Sequence, residues 1–163
     1  MLSGSTDRDL WNNILQNLEC PDAMWDWPAI ADPSKMGAAY TSFCIYANGE
    51  VQAAMVLNLT MRCRYSSQVN EHMVYIDYLA IAPWNRRAFR NPIEFQGLGT
   101  VMLGIAIELS KQEGWKGRIG LHSLPQSEGF YAKHRMELIG IDTKKEDLMY
   151  CEFTEVGADR FLS

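Results

Sequence analysis

Apolar residues in the first segment recur at helical spacing: Leu10, Ile14 and Leu18, with Trp11 and Leu15 beside them. A period of 3.6 gathers them on one face, which predicts a helix over Thr6 to Leu18. Ser5 or Thr6 would cap it, and Asp7 and Asp9 fall in the first turn, where the helix dipole favours negative charge. Pro21, Pro28 and Pro33 then mark Cys20 to Pro33 as loop. Its Trp25 and Trp27 are core plugs or pocket walls, the first being the commoner use of aromatics.

The pattern changes after Tyr40. Tyr40 to Tyr46 and Glu50 to Cys63 read as strands flanking Asn48-Gly49, a hairpin signal because both residues accept positive φ. Val74 to Ala82 is a third strand, stopped by Pro83 and apolar on both faces apart from Asp77, as a central strand should be. A loop from Trp84 to Phe95, rich in Trp, Asn, Arg and Pro, leads to the clearest helix. There Leu98, Val101, Met102, Ile105, Ala106 and Leu109 share a face, and Gly114 stands at the C-terminal stop. Arg118 to His122 reads as a short strand. Gln126 to His134 reads as a short helix, with Ser123 and Gln126 spaced like a capping box. Leu138 to Ile141 and Leu148 to Phe153 close the pattern around the charged turn Asp142 to Asp147. Strands interleaved with helices predict a mixed α/β fold.

Composition narrows the function classes. The chain has 163 residues, with 15 Lys+Arg against 20 Asp+Glu and a net charge of −5. That size predicts one domain over 1–163. An acidic balance argues against a nucleic-acid binder and mildly favours a cationic partner. No apolar run approaches the ~20 residues of a membrane span. The polar start, Met1 to Asp9, lacks a signal-peptide layout, so a cytoplasmic protein is expected. Cys20, Cys44, Cys63 and Cys151 are far apart in sequence, which fits reduced thiols. His72, His122 and His134 do not cluster with them, so no metal site is expected.

Three places carry candidate chemistry. Gln96-Gly97-Leu98-Gly99-Thr100-Val101 lies where a loop turns into a helix. The first amides of a helix have no internal acceptor and sit at the positive dipole end. Glycines at 97 and 99 let a ligand approach, so this turn suits a phosphate or pyrophosphate; the plainer reading is a flexible Gly-rich helix start. The Lys-Ser/Thr of a P-loop is missing. Asp77 is a carboxylate inside an apolar strand, which calls for a partner or a job. His122 ends a short strand and has an ordinary pKa suited to neutral pH; the alternative is a hydrogen-bonded structural histidine.

These residues occur in a telling order. The strand from Val74 to Ala82-Pro83 precedes Gln96 to Val101, and Glu128-Gly129-Phe130-Tyr131 and Met136 to Gly140 follow. This order resembles the GNAT superfamily of acyl-CoA-dependent N-acetyltransferases, over about Tyr40 to Phe153. Ala82 to Arg86 and Gly120 to Pro125 also resemble a bacterial subgroup. The chain departs from the family pattern at Val101, where Gly or Ala is preferred. Leu124 stands where an Asn is frequent, and the loop between Pro83 and Gln96 is long.

The resemblance implies a mixed, mostly antiparallel sheet flanked by helices, with splayed central strands. It implies acetyl-CoA as co-substrate, its pyrophosphate on the amides of Gly97 to Val101 beside Gln96. Backbone groups around Ile81 would pair with the pantetheine arm, and a nearby N–H would polarise the thioester carbonyl. Arg86, Arg87 and Arg90 either reach a CoA phosphate, cover the acceptor site or form a solvated basic loop. Lys133 is a further local cation for the anionic co-substrate. Tyr131 takes the place of the acid that protonates the departing thiolate; the plainer role is a packed Tyr with its hydroxyl on backbone. Asp77 or His122 would take the amine proton.

The reading is an N-acyltransferase moving an acetyl group to a small-molecule or protein amine by direct attack. The alternative is a non-catalytic CoA-binding or protein-interaction module on the same fold. Exposed edge strands and the five tryptophans are compatible with a homodimer.

Overall fold

The computed structural model describes residues 36–87 and 92–163. The expected helix over Thr6 to Leu18, together with Cys20, Trp25, Trp27 and Arg90, lies outside the described residues. Strands β1 (Tyr40–Ala47), β2 (Glu50–Asn58), β3 (Val74–Ile81), β4 (Ile119–Ser123), β5 (Glu137–Asp142) and β6 (Leu148–Phe153) form one sheet. Its order is β1-β2-β3-β4-β6-β5. Every neighbouring pair is antiparallel except β3 and β4. The helices are α1 (Leu98–Gln112), α2 (Glu128–Lys133) and α3 (Glu155–Leu162).

The β1–β2 turn forms as the sequence predicts, with Asn48 at φ 54° and Gly49 at φ 79°. Strand β2 stops at Asn58, short of the expected Cys63. The Asn58 side-chain oxygen accepts from both the amide and the hydroxyl of Thr60, a local turn that competes with the ladder. Helix α2 begins at Glu128 rather than Gln126, and the Ser123 hydroxyl donates to the Leu124 carbonyl instead of capping it. Helix α3, which packs Ala158 and Phe161 against the core, lies beyond the predicted elements. Its signal is Thr154, whose hydroxyl accepts from the Gly157 amide as an N-cap.

The core lies between α1 and one face of the sheet. Met102, Leu103, Ala106 and Ile107 of α1 meet Met55, Leu57, Val74, Ile76, Ile119 and Leu121 there. Each fully buried Met, Leu or Ile contributes ~1.5–3 kcal/mol, so this layer dominates stability. The buried stripe is rotated from the predicted one: Val101 is 51% exposed at the open first turn. A smaller cluster of Cys63, Met73, Tyr75 and Tyr150 covers the opposite face. Cys44, Cys63 and Cys151 are free thiols. Among the described residues no helix is long and apolar enough to cross a membrane.

Two irregularities in β3 create the site. Leu57 pairs with Ile76 but Val56 with Tyr78, so Asp77 is an extra residue, a bulge. Bulges bend the strand that carries them. Strand β4 follows β3 only through Val74, Tyr75 and Ile76, and from Asp77 onward β3 parts from it. The splay expected from the resemblance is therefore present, and it opens at the bulge.

Candidate active site

The splay opens a cleft of about 440 Å³. One wall is β3 from Tyr75 to Leu79, the other is Leu121 and His122 of β4. Tyr131 enters from α2, and Lys144, Lys145 and Glu146 of the β5–β6 turn form the rim. Past the bulge, the Ala82 amide donates to the Gln52 carbonyl of β2 at 2.9 Å. Alternation along an antiparallel ladder then turns the peptide groups of Leu79 and Ile81 away from β2, towards the cleft. An extended ligand arm can add as a strand to the Leu79 groups and the Ile81 amide, the Ile81 carbonyl being taken by Arg86 Nε.

Helix α1 supplies a second feature. Its first internal bond is from the Val101 amide to the Gly97 carbonyl, at 3.0 Å, so the amides of Leu98, Gly99 and Thr100 have no intrahelical acceptor. No side chain caps this end. Gly97 holds φ 75°, a left-handed conformation that costs other residues about 1 kcal/mol or more, and nothing lies within 4 Å of where its Cβ would be. The approach to the amides is open on that side. Gly99 also meets a packing demand. A Cβ there would lie 2.9 Å from Cζ of Phe130, so this glycine serves the packing of α1 on α2. That contact, and Thr100 Oγ1 against His134 Nε2 at 3.1 Å, place Tyr131 relative to the helix start. Exposed Lys133 lies with Arg135 and Arg160 along a depression bordered by Thr100. Gln96 is exposed and borders a shallow pocket with Arg87, Pro92 and Ile93.

Arg86 has a backbone role here, since its Nε donates to the Ile81 carbonyl at 2.6 Å. The loop after β3 is fastened by a residue that sequence reading missed. Gln52, fully buried, accepts from Trp84 Nε1 and Asn85 Nδ2, both at 2.8 Å. The Asn85 side-chain oxygen in turn accepts from the Phe95 amide. Both ends of the Trp84–Phe95 loop are thus held at one place beside β2.

Tyr131 is 7% exposed, and among the described residues its hydroxyl makes no hydrogen bond. Burial raises this phenol well above its ordinary value, so it stays protonated. Asp77 also lines the cleft. Burial pushes its carboxyl above the usual range, against the pull of Lys145 and Asn58. His122, with 4% of its side chain exposed, has both ring nitrogens engaged. Nε2 meets Asp142 Oδ2 at 2.9 Å, and Nδ1 meets the Tyr75 hydroxyl. Burial holds the imidazole below its ordinary value, with Asp142 pulling the other way.

The structure also sorts three polar residues near the site. His72 stacks on Trp115 with ring centroids 5.1 Å apart, and Glu71 pairs with Arg118 at 3.1 Å. Glu152 is fully buried and holds the loop after β2. All three support the scaffold.

Asp142 links the cleft to that loop. Arg64 first, and His122 second, hold its carboxyl well below the usual carboxylate range. A depressed folded-state pKa contributes stability that is present above the unfolded value, about 3.9, and lost as pH falls through the folded one. Carboxyl-carbon NMR is expected to find Asp142 still ionised when ordinary carboxylates have protonated. In Arg64→Gln it should titrate at a distinctly higher pH.

No protein-family model matches the sequence, and no curated protein does so. Solved structures do match the fold. Aminoglycoside acetyltransferase AAC(6')-Ib, in complex with coenzyme A and kanamycin, is 18% identical with a TM-score of 0.61, over 100% of this chain and 98% of its own. An acetyltransferase assigned to the GNAT family from Desulfovibrio desulfuricans is 10% identical with a TM-score of 0.62, over 93% and 94% of the two chains. PaiA N-acetyltransferase from Thermoplasma acidophilum, in complex with coenzyme A, is 12% identical with a TM-score of 0.56, over 90% and 86%. The chain has the fold of the GNAT acetyltransferases.

Proposed function

We propose that this chain is an acetyl-CoA-dependent N-acetyltransferase. The observation that carries the reading is the cleft at the β3–β4 splay, where the stretch of β3 that has parted from β4 meets a buried Tyr131 hydroxyl with no hydrogen bond among the described residues. The amides of Leu98, Gly99 and Thr100 receive the pyrophosphate of acetyl-CoA, with Gln96 and Val101 at the margins and Lys133 supplying positive charge nearby. The Leu79 peptide groups and the Ile81 amide pair with the pantetheine arm, and one of these amides polarises the thioester carbonyl. An amine attacks that carbonyl directly, and most of the rate gain comes from positioning and from carbonyl polarisation. Tyr131 gives its proton to the departing thiolate, a step for which a weak acid suffices. Asp77 draws the cationic acceptor into the cleft from the rim side.

This reading accommodates an acidic chain with an anionic co-substrate. Backbone amides and a few local cations hold the phosphates, so net charge is left to favour the amine.

Acetyl-CoA at a hundredfold excess over its Kd is expected to stabilise the protein by about 2.7 kcal/mol. That corresponds to a Tm rise of roughly 5–10 °C for a chain of this size. Thiol release is then followed with acetyl-CoA and a panel of amines. Binding without release on any amine supports a non-catalytic module; no shift with CoA at all would sink both readings.

A further inference from the structure

Behind the acceptor side of the cleft runs a chain of hydrogen bonds with no part in the steps above. Arg64 Nη1 donates to Asp142 Oδ2 at 2.5 Å, and His122 Nε2 donates to the same oxygen at 2.9 Å. A neutral imidazole that donates through Nε2 presents Nδ1 as an acceptor, and the Tyr75 hydroxyl is its donor. The tautomer is assigned from this network. Tyr75 and His122 both line the cleft.

Their place in the sheet matters. Tyr75 is opposite Gly120 in the short β3–β4 ladder, one step before the strands part. It belongs to the cluster on the face away from α1, whereas Tyr131 belongs to the core beneath α1. The two phenols therefore reach the cleft from opposite faces of the sheet. One face suits the leaving sulfur and the other the incoming amine. His122 itself has no free nitrogen for that amine.

We propose, on the acetyl-transfer reading above, that Tyr75 is the group that takes the amine proton, and that His122, oriented by Asp142, holds the proton behind it. An ammonium acceptor first gives one proton to solvent; as the neutral amine's lone pair then forms the C–N bond, the nitrogen becomes cationic. Its proton passes to Tyr75 Oη while the Tyr75 proton passes to His122 Nδ1. The C–S bond then breaks and the thiolate takes the Tyr131 proton. Tyr75 ends as it began; solvent then takes the imidazolium proton from beside the Asp142 carboxylate and returns one to the Tyr131 oxygen.

The relay suits a poor base such as a phenol, because no tyrosinate has to persist. His122 is available because burial keeps it neutral. The groups that act on it are Arg64 and Lys145, which oppose its charge, and Asp142, which favours it. Tyr150 packs its ring 4.9 Å from the imidazole.

The test uses the full chain with acetyl-CoA and three probe amines: kanamycin, spermidine and L-lysine. Tyr75→Phe and His122→Gln are each expected to lower kcat roughly tenfold or more, with acetyl-CoA affinity by calorimetry unchanged. The acid limb of the kcat profile should vanish in His122→Gln. In Asp142→Asn it should move to lower pH, since a group favouring the imidazolium is gone. Nitrogen-15 NMR should report an Nε2–H tautomer for His122 and a changed Nδ1 shift in Tyr75→Phe. Wild-type kcat in Tyr75→Phe overturns the relay and leaves the acetyl-transfer reading standing. A kcat loss with an unaltered pH profile, or in step with lost acetyl-CoA affinity, also overturns it by making Tyr75 a scaffold residue. No thiol release by the wild type with any probe amine overturns the acetyl-transfer reading, and the relay with it.

Discussion

Tyr131→Phe is expected to lower kcat for thiol release by roughly 10²–10³-fold while the KM for acetyl-CoA stays near its wild-type value. The substitution removes one oxygen and keeps the ring, so the contact with Phe130, centroids 5.2 Å apart, survives. The hydroxyl makes no hydrogen bond among the described residues and is buried. A buried polar group without a partner costs stability, so its removal is neutral or stabilising. The expected result is therefore a slow enzyme with an unchanged or raised Tm. That combination separates a group kept for chemistry from one kept for packing. Thermal unfolding and steady-state kinetics on the same preparation decide it. A fall in Tm with little change in kcat would make Tyr131 a structural residue.

What the sequence made legible were features encoded locally. The Asn48-Gly49 turn, the α1 stripe and its glycine start, and the apolar β3 run each follow from neighbours along the chain. The order of those pieces pointed to the fold and to the cleft. Asp77 stood out as a carboxylate in an apolar run, and its odd placement is the bulge that bends β3 from β4. Pairings distant in sequence were not legible. Nothing near Gln52 announces that it accepts from Trp84 and Asn85, and nothing near Tyr75 announces His122, 47 residues on. Such contacts depend on sheet order, which local periodicity does not encode. Arg86 is a like case: nothing near it announces that its Nε donates to the Ile81 carbonyl, five residues back. Gly99 carries a second demand that the sequence does not announce, the close approach of the Phe130 ring.

Glu152→Ala is expected to destabilise the fold by about 3–5 kcal/mol, a loss in the range found when a buried charged partner is removed. Its carboxylate is fully buried in β6 and receives four groups. The Arg64 amide donates to Oε1, with the Tyr65 amide at 3.1 Å and the Tyr150 hydroxyl at 2.6 Å on the same atom. Gln68 Nε2 donates to Oε2 at 2.9 Å. Alanine leaves these buried donors without their acceptor, which is why the cost exceeds that of one hydrogen bond. Tm should fall by roughly 10 °C or more. Glu152→Gln keeps the shape and one acceptor oxygen, so it should lose distinctly less. The effect reaches the cleft, because the same loop carries the Arg64 guanidinium that holds Asp142, and Asp142 holds His122. Glu152→Ala should thus raise the Asp142 carboxyl towards its ordinary value even at temperatures where the protein stays folded. Urea midpoints give the stability, and the Asp142 carboxyl signal gives the coupling. A normal Asp142 titration in a destabilised variant would show that the loop positions Arg64 without help from Glu152.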